Sequence, residues 1–168
     1  MSTPSSAPLF RERLLPGAGV LAAAGGVGLL VLIILLPIAP TAALVAGVLV
    51  AAAGMLWLVA GAPVVAVRDG ELWAGRAHVP VTLLGEAQVL ATREQVREEL
   101  GARLDARAHV LLRSWVPTAV RVVLEDPADP TPYWLVTTRR PEELAAALHA
   151  ATGPMGSGGT AKAVTPEA

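Results

Sequence analysis

The sequence has no cysteine, which excludes disulfides, thiolate metal sites and cysteine nucleophiles. It is also poor in charge: Asp, Glu, Lys and Arg make up 16% of its 168 residues, against about a quarter in an ordinary soluble domain. The shortage is local. Between Arg13 and Arg68 lie 54 consecutive residues without Asp, Glu, Lys, Arg or His, and such a block excludes a water-soluble protein of this size. No basic surplus exists either, the formal net charge being −1. That argues against nucleic acid as a partner, because phosphate backbones are held by an excess of Lys and Arg.

What is present is first of all that apolar block. A membrane-spanning helix needs about 20 residues at about 1.5 Å each, so the block suits two spans. It divides at Pro37-Ile38-Ala39-Pro40, where each proline removes a backbone donor and disfavours helix in the preceding residue. Residues 17–36 and 41–60 remain, and the first carries the dense run from Leu29 to Leu36. Small residues recur every four positions, at Ala18, Ala22 and Gly26 and at Ala43, Gly47 and Ala51. That spacing predicts faces along which helix backbones approach closely and leaves homo-oligomer formation open. Arg11 and Arg13 precede the first span, Arg68 and Arg76 follow the second, and the turn is uncharged. The bias predicts a plasma-membrane protein with both termini cytoplasmic. A cleaved signal peptide is the competing reading of the N-terminus, but its apolar region covers only about 7–15 residues and no second span follows it.

Residues 1–13 read as a tail with juxtamembrane arginines, residues 14–62 as a transmembrane hairpin, and residues 153–168 as a second tail, rich in small and polar residues. Between them, residues 63–152 alternate strand-like runs with turn signals. Val64–Arg68 and Glu71–Gly75 flank Asp69-Gly70, a strong hairpin turn. His78–Leu83 reads as a strand whose Pro80 requires an edge, and Glu86–Leu90 as another. Thr92-Arg93-Glu94-Gln95 is a capping box opening a short helix that Gly101 stops. Val110–Trp115, Ala119–Glu125 and Tyr133–Thr138 read as further strands, and Pro141-Glu142-Glu143 opens a C-terminal helix with Leu144 and Leu148 on its buried side. A strand series closed by one helix predicts an α+β domain of pleckstrin-homology-like (PH-like) barrel type.

No catalytic set emerges, no cofactor is implied, and the expectation is that the protein is not an enzyme. His78, His109 and His149 show no ligand spacing, Ser114 sits in no nucleophile motif, and Asp126 and Asp129 read as turn formers in a proline-rich loop rather than as a metal site. The polar and aromatic residues Arg113, Trp115, Arg121, Tyr133, Trp134, Arg139 and Arg140 form the densest grouping. If their strands pair as neighbours, several share a face suited to stacking and to bidentate contacts with a carboxylate or another anion. The competing reading packs Trp115 and Trp134 in the core, or at the membrane interface, and pairs the arginines with nearby acids. Residues 64–152 hold ten arginines and twelve acids, so simple electrostatic adhesion to lipid is disfavoured and a protein partner is expected.

Three stretches carry a resemblance: Phe10-Arg11-Glu12-Arg13-Leu14, the run Arg113-Ser114-Trp115-Val116-Pro117-Thr118-Ala119-Val120-Arg121, and the long irregular run from Asp126 to Glu142. With Asp69-Gly70-Glu71-Leu72 they resemble a family of small actinobacterial membrane proteins, domain of unknown function 3093. The resemblance implies two spans and a cytoplasmic domain; it implies no activity and no catalytic residues. The function expected is that of a non-enzymatic membrane-tethered adaptor, the alternative being an accessory subunit of a larger membrane enzyme or transporter. An enzyme lacks a nucleophile and base in this sequence, and two spans without an ionisable group give a lone transporter no polar path.

Overall fold

The computed structural model describes residues 7–101 and 103–153. The stretches expected to be tails fall mostly outside these residues. One of them is corrected nonetheless: Phe10–Arg13 is a strand, β1, and not part of a tail.

After β1 come two long helices, α1 (Ala18–Leu35) and α2 (Pro40–Ala60). Their boundaries follow from Pro40, which takes the first position of α2, where its missing N–H costs nothing. The helices touch most closely at two glycines. A Cβ on Gly28 would lie 2.5 Å from the Gly47 carbonyl oxygen, and one on Gly47 would lie 2.8 Å from that of Gly28. Glycine is thus the residue this crossing admits. The α2 stripe is as expected, with Ala43 and Gly47 buried. On α1 the stripe differs: Ala18, Ala22 and Gly26 face away from α2, and the contact runs through Ala24, Gly25 and Gly28 instead. Four-residue spacing fixes a face but not which of two neighbouring faces meets the partner.

With β1, the described residues form eight strands in two sheets. The first has the order β1-β2-β3-β4, with β2 at Val64–Arg68, β3 at Glu71–Ala74 and β4 at Ala77–Pro80, all antiparallel. The turn between β2 and β3 has Asp69 at φ 54° and Gly70 at φ 76°, the paired left-handed conformation that Asp-Gly tolerates. Pro80 lies on β4, an edge strand, as its missing donor requires. A single 3₁₀ turn (Val81–Leu83) leads to β5 (Leu84–Leu90). The second sheet has the order β5-β7-β8-β6, with β6 at His109–Leu111, β7 at Ala119–Leu124 and β8 at Tyr133–Thr137. Helix α3 (Arg93–Leu100) begins with the expected capping box, Thr92 and Gln95 each accepting the other's backbone N–H. Helix α4 (Pro141–Thr152) ends the described chain.

The expected closed barrel does not form. Two open sheets face each other over a core built from Leu72, Val65 and Val67 on one side and Val120, Val122 and Val136 on the other. Leu144 and Leu148 of α4 enter the same core, so this helix closes one end against both sheets. Strand β6 is shorter than the expected Val110–Trp115, and it pairs in parallel with β8 instead of continuing an antiparallel meander. A tight turn at residues 113–116, with Val116 N–H donating to the Arg113 carbonyl, ends its extended course. The outer side of the second sheet is covered too, by Val96 and Leu100 of α3 packing near Leu90, Tyr133 and Leu135.

The topology sets the hairpin inside the first sheet. Strand β1 ends four residues before α1, β2 begins three residues after α2 with Gly61-Ala62-Pro63 between, and the two strands pair with Arg13 opposite Val64. Both feet of the apolar hairpin are therefore neighbouring rungs of one ladder.

Candidate functional site

Alternation along β1 places Phe10, Glu12 and Leu14 inward and Arg11 and Arg13 outward. Glu12 is 9% exposed. Its carboxylate accepts the Thr138 hydroxyl proton and the Arg139 backbone N–H, the latter at 3.2 Å from each oxygen. The Arg139 guanidinium stands 3.9 Å away and donates to the Leu15 carbonyl at 2.6 Å. Thr138 is fully buried, and its hydroxyl oxygen in turn accepts the Arg140 N–H. A carboxylate this buried is tolerable because hydrogen bonds and a cation replace its water. Further bonds fasten the same segment: Arg140 donates to the Arg11 carbonyl at 2.8 Å and lies over the Phe10 ring, and Trp115 Nε1–H donates to the Leu14 carbonyl at 3.3 Å. Arg13 reaches the Val59 carbonyl at 2.9 Å, next to the C-terminus of α2, where a cation also complements the helix dipole.

These contacts redistribute the residues expected to share one face. Tyr133 and Trp134 are neighbours on β8 and point to opposite sides of the sheet; both are buried, at 3% and 6% exposure, in different clusters. Trp134 packs against His109, ring centroids 4.2 Å apart. The Tyr133 hydroxyl accepts the Asp105 N–H and donates to the Arg103 carbonyl. Arg121 stacks on the Tyr133 ring at 4.1 Å and sets its Nε 2.8 Å from Glu99. That N–H is not aligned as a hydrogen bond, so the attraction there is mainly coulombic. Arg139 and Arg140 belong to the β1 clamp. Arg113 and Trp115 also stay together, the guanidinium 5.9 Å from the ring centroid. The single binding face is thus corrected to three places: a buried pair on β8 with Arg121, a clamp on β1, and the Arg113–Trp115 turn. Strand alternation is the reason, since adjacent residues cannot share a side.

Glu12 is the residue sequence reasoning missed. The signal was the alternation of Phe10, Glu12 and Leu14, hidden because the middle inward position is charged.

Two cavities open near the feet of the hairpin. One, of about 500 Å³, lies between the last turns of α2 at Trp57 and Leu58 and the turn carrying Arg113, Ser114 and Trp115. The other, of about 700 Å³, lies between the β3–β4 turn with Arg76 and the edge strand β6 with His109. Gly61 and Arg113 line both. Burial lowers the His109 pKa from its ordinary 6.5, against a small opposing pull from Asp129, so the imidazole is neutral at pH 7. A third cavity, of about 390 Å³, lies on the outer side of the first sheet by Arg11, Arg68 and Trp73. There Arg68 and His78 stack on the Trp73 ring.

The remaining polar candidates have local partners. His78 pairs with Glu71 at 3.5 Å and His149 Nδ1 contacts the Ala145 carbonyl at 2.8 Å. Asp126 and Asp129 accept the N–H two residues onward, and the hydrogen bonds from Thr131 hold the Asp129 carboxyl below its ordinary range. Among the described residues no three His, Asp or Glu side chains converge as a metal site.

Neither a search of curated proteins nor one of solved structures found a match. One family profile matches, described as a protein of unknown function, DUF3093, and it covers residues 9–148. The match begins at the edge of β1 and takes in the clamp, the hairpin and both sheets; the chain therefore belongs to the DUF3093 family.

Proposed function

We propose that the protein is a two-span plasma-membrane protein whose small module is held in a fixed pose at the cytoplasmic surface and acts as a non-enzymatic interaction module. The observation that carries this reading is the pairing of β1 with β2 across the hairpin, reinforced by the buried Glu12 clamp. A module on a loose linker would sample many orientations; here no linker longer than four residues separates sheet from helix. Membrane insertion is supported by the exposure of the hairpin's own side chains, including Leu29, Leu30, Ile33, Ile34, Leu49 and Leu56 at 56–70%. In water that surface would far exceed the few hundred Å² of apolar patch a soluble monomer shows. The two sheets and the closing C-terminal helix support a PH-like reading of the module only in outline, and its partner is expected to be a protein.

The absence of native cysteine makes the test direct. A cysteine at Ile38, 78% exposed in the turn, is expected to react with an impermeant maleimide from outside the cell, and one at Ala128 only after permeabilisation. The opposite pattern, or equal reaction at both, overturns the topology.

A second reading, an accessory subunit that uses the hairpin as its interface, is favoured by Ala18, Ala22 and Gly26, which face away from α2. The same stripe would serve a homo-oligomer. Replacing residues 18–60 by an unrelated two-helix hairpin, with residues 9–17 and 61–153 retained, separates the readings. An adaptor keeps its partner; an accessory subunit loses it.

A further inference from the structure

We infer that the groove formed by the two cavities at the hairpin feet holds one anionic lipid, its phosphate between Arg76 and Arg113 and an acyl chain along Trp57 and Leu58. The inference deepens the membrane reading and rests on it.

Continuity is the first support. Gly61 and Arg113 line both cavities, so the apolar end beside α2 adjoins the polar end beside the β3–β4 turn. Charge is the second. Residues 64–152 hold more acids than arginines, yet no Asp or Glu lines either cavity. Among the described residues neither Arg76 nor Arg113 takes part in an ion pair, as is also true of Arg68, Arg93 and Arg97, and Arg113 donates only to the Leu112 carbonyl. The module's negative balance is thus segregated from this groove, and a guanidinium without a carboxylate partner is suited to phosphate.

The third support is where the apolar end sits. Trp57 is 77% exposed one turn before α2 ends, and Leu112 is 39% exposed across from it. With the hairpin inserted, this is the level at which hydrocarbon gives way to headgroups, the preferred depth of tryptophan. A soluble anion would engage the arginines and leave Trp57 and Leu58 uncovered; a lipid satisfies both ends. Burial keeps His109 uncharged at pH 7, so the two arginines supply the cationic charge.

The test uses the full-length protein in nanodiscs of phosphatidylcholine with added phosphatidylglycerol, and native mass spectrometry to count retained lipid. One phosphatidylglycerol is expected to be retained in preference to phosphatidylcholine. Arg76→Gln and Arg113→Gln are each expected to weaken retention about fivefold, and together about twenty-five-fold, as an interfacial basic residue implies. Arg93→Gln with Arg97→Gln, on α3, should leave it unchanged. Trp57→Ala should also weaken phosphatidylglycerol retention. Equal retention of both lipids, or unchanged retention in the double variant, overturns the inference. Displacement by millimolar inorganic phosphate also overturns it, in favour of a free anion. A chain that fails to enter nanodiscs, or whose Ile38 cysteine is not labelled from outside, overturns the membrane reading itself and is recognised by that failure.

Discussion

The hairpin and the sheet module are held together in opposite ways. Between α1 and α2 no side-chain hydrogen bond or ion pair is found among the described residues, and the contact depends on Gly28 and Gly47 letting two backbones meet. In the module a conventional apolar core is supplemented by a buried carboxylate, Glu12, that ties the first strand to the end of the last one. For a hairpin inserted as proposed, lipid would offer no hydrophobic drive for helices to associate, and close packing would have to supply it; water supplies that drive to the module, which tolerates a polar clamp where its partners are complete. One contact can be lost in each region, with different consequences.

The largest expected effect is Gly47→Leu. Its side chain would meet the Gly28 carbonyl and the Leu32 Cβ, at 2.8 and 2.9 Å from the first carbon alone, and neither backbone can yield without separating the helices. A cost of about 3 kcal/mol is expected, the upper end for overpacking. The cysteine-free background provides a reporter. A Cβ at Gly54 would lie 3.7 Å from that of Ala24, within disulfide reach, so the Ala24→Cys/Gly54→Cys pair should cross-link in the parent and not with Gly47→Leu added.

Next comes the clamp. Thr138→Val removes the hydroxyl that donates to Glu12 and accepts from Arg140, leaving a buried carboxylate short of a donor. About 2 kcal/mol is expected, read as a lower thermal midpoint of the module. Glu12→Gln should cost a similar amount. Because the two residues share one bond, the double variant should lose less than the sum, by about 1 kcal/mol; strict additivity would show that they act separately.

A smaller effect is expected at Trp115. Replacement by Phe keeps the ring and deletes only the Nε1–H bond to the Leu14 carbonyl, costing about 1 kcal/mol. The Ala24–Gly54 cross-link should be unaffected, since this bond lies wholly outside the hairpin.

The smallest is a pH effect confined to the module. The His109 pKa is lowered on folding, chiefly by burial, so the unfolded chain binds the proton more readily. Stability from this group is complete above the ordinary value of 6.5 and declines as the pH falls through it. A melt at pH 5.5 against one at pH 7.5 should show a loss that His109→Gln diminishes.

Much of this was legible from local pattern. The apolar block, its break at Pro37 and Pro40, the Asp69-Gly70 turn, the Thr92–Gln95 capping box, the edge position of Pro80 and the helix opening at Pro141 each depend on a few adjacent residues, and each is found. The candidate site was less legible. Arg139, Arg140 and Trp115 stand out in the sequence by residue type, but their partners lie more than 100 positions away, on β1 and at Leu14 just after it. No spacing rule reaches that far. Tyr133 and Trp134 were grouped by adjacency, and strand geometry separates adjacent side chains.

The sequence by itself determined most of the elements, though not β1 or the extent of β4 and β6, and that two helices are long and apolar enough to cross a membrane. These follow from propensity, capping and hydropathy, which act over a few residues. Only the tertiary structure decided that β1 joins β2 across the hairpin, that β6 pairs in parallel with β8, that Gly28 rather than Gly26 meets Gly47, and that Arg113 and Arg76 line a groove free of acids. Those outcomes depend on which of several compatible surfaces buries the most area while leaving the fewest buried polar groups unpaired. That choice is made by the whole chain at once, because the residues that satisfy Glu12 come from the other end of the fold.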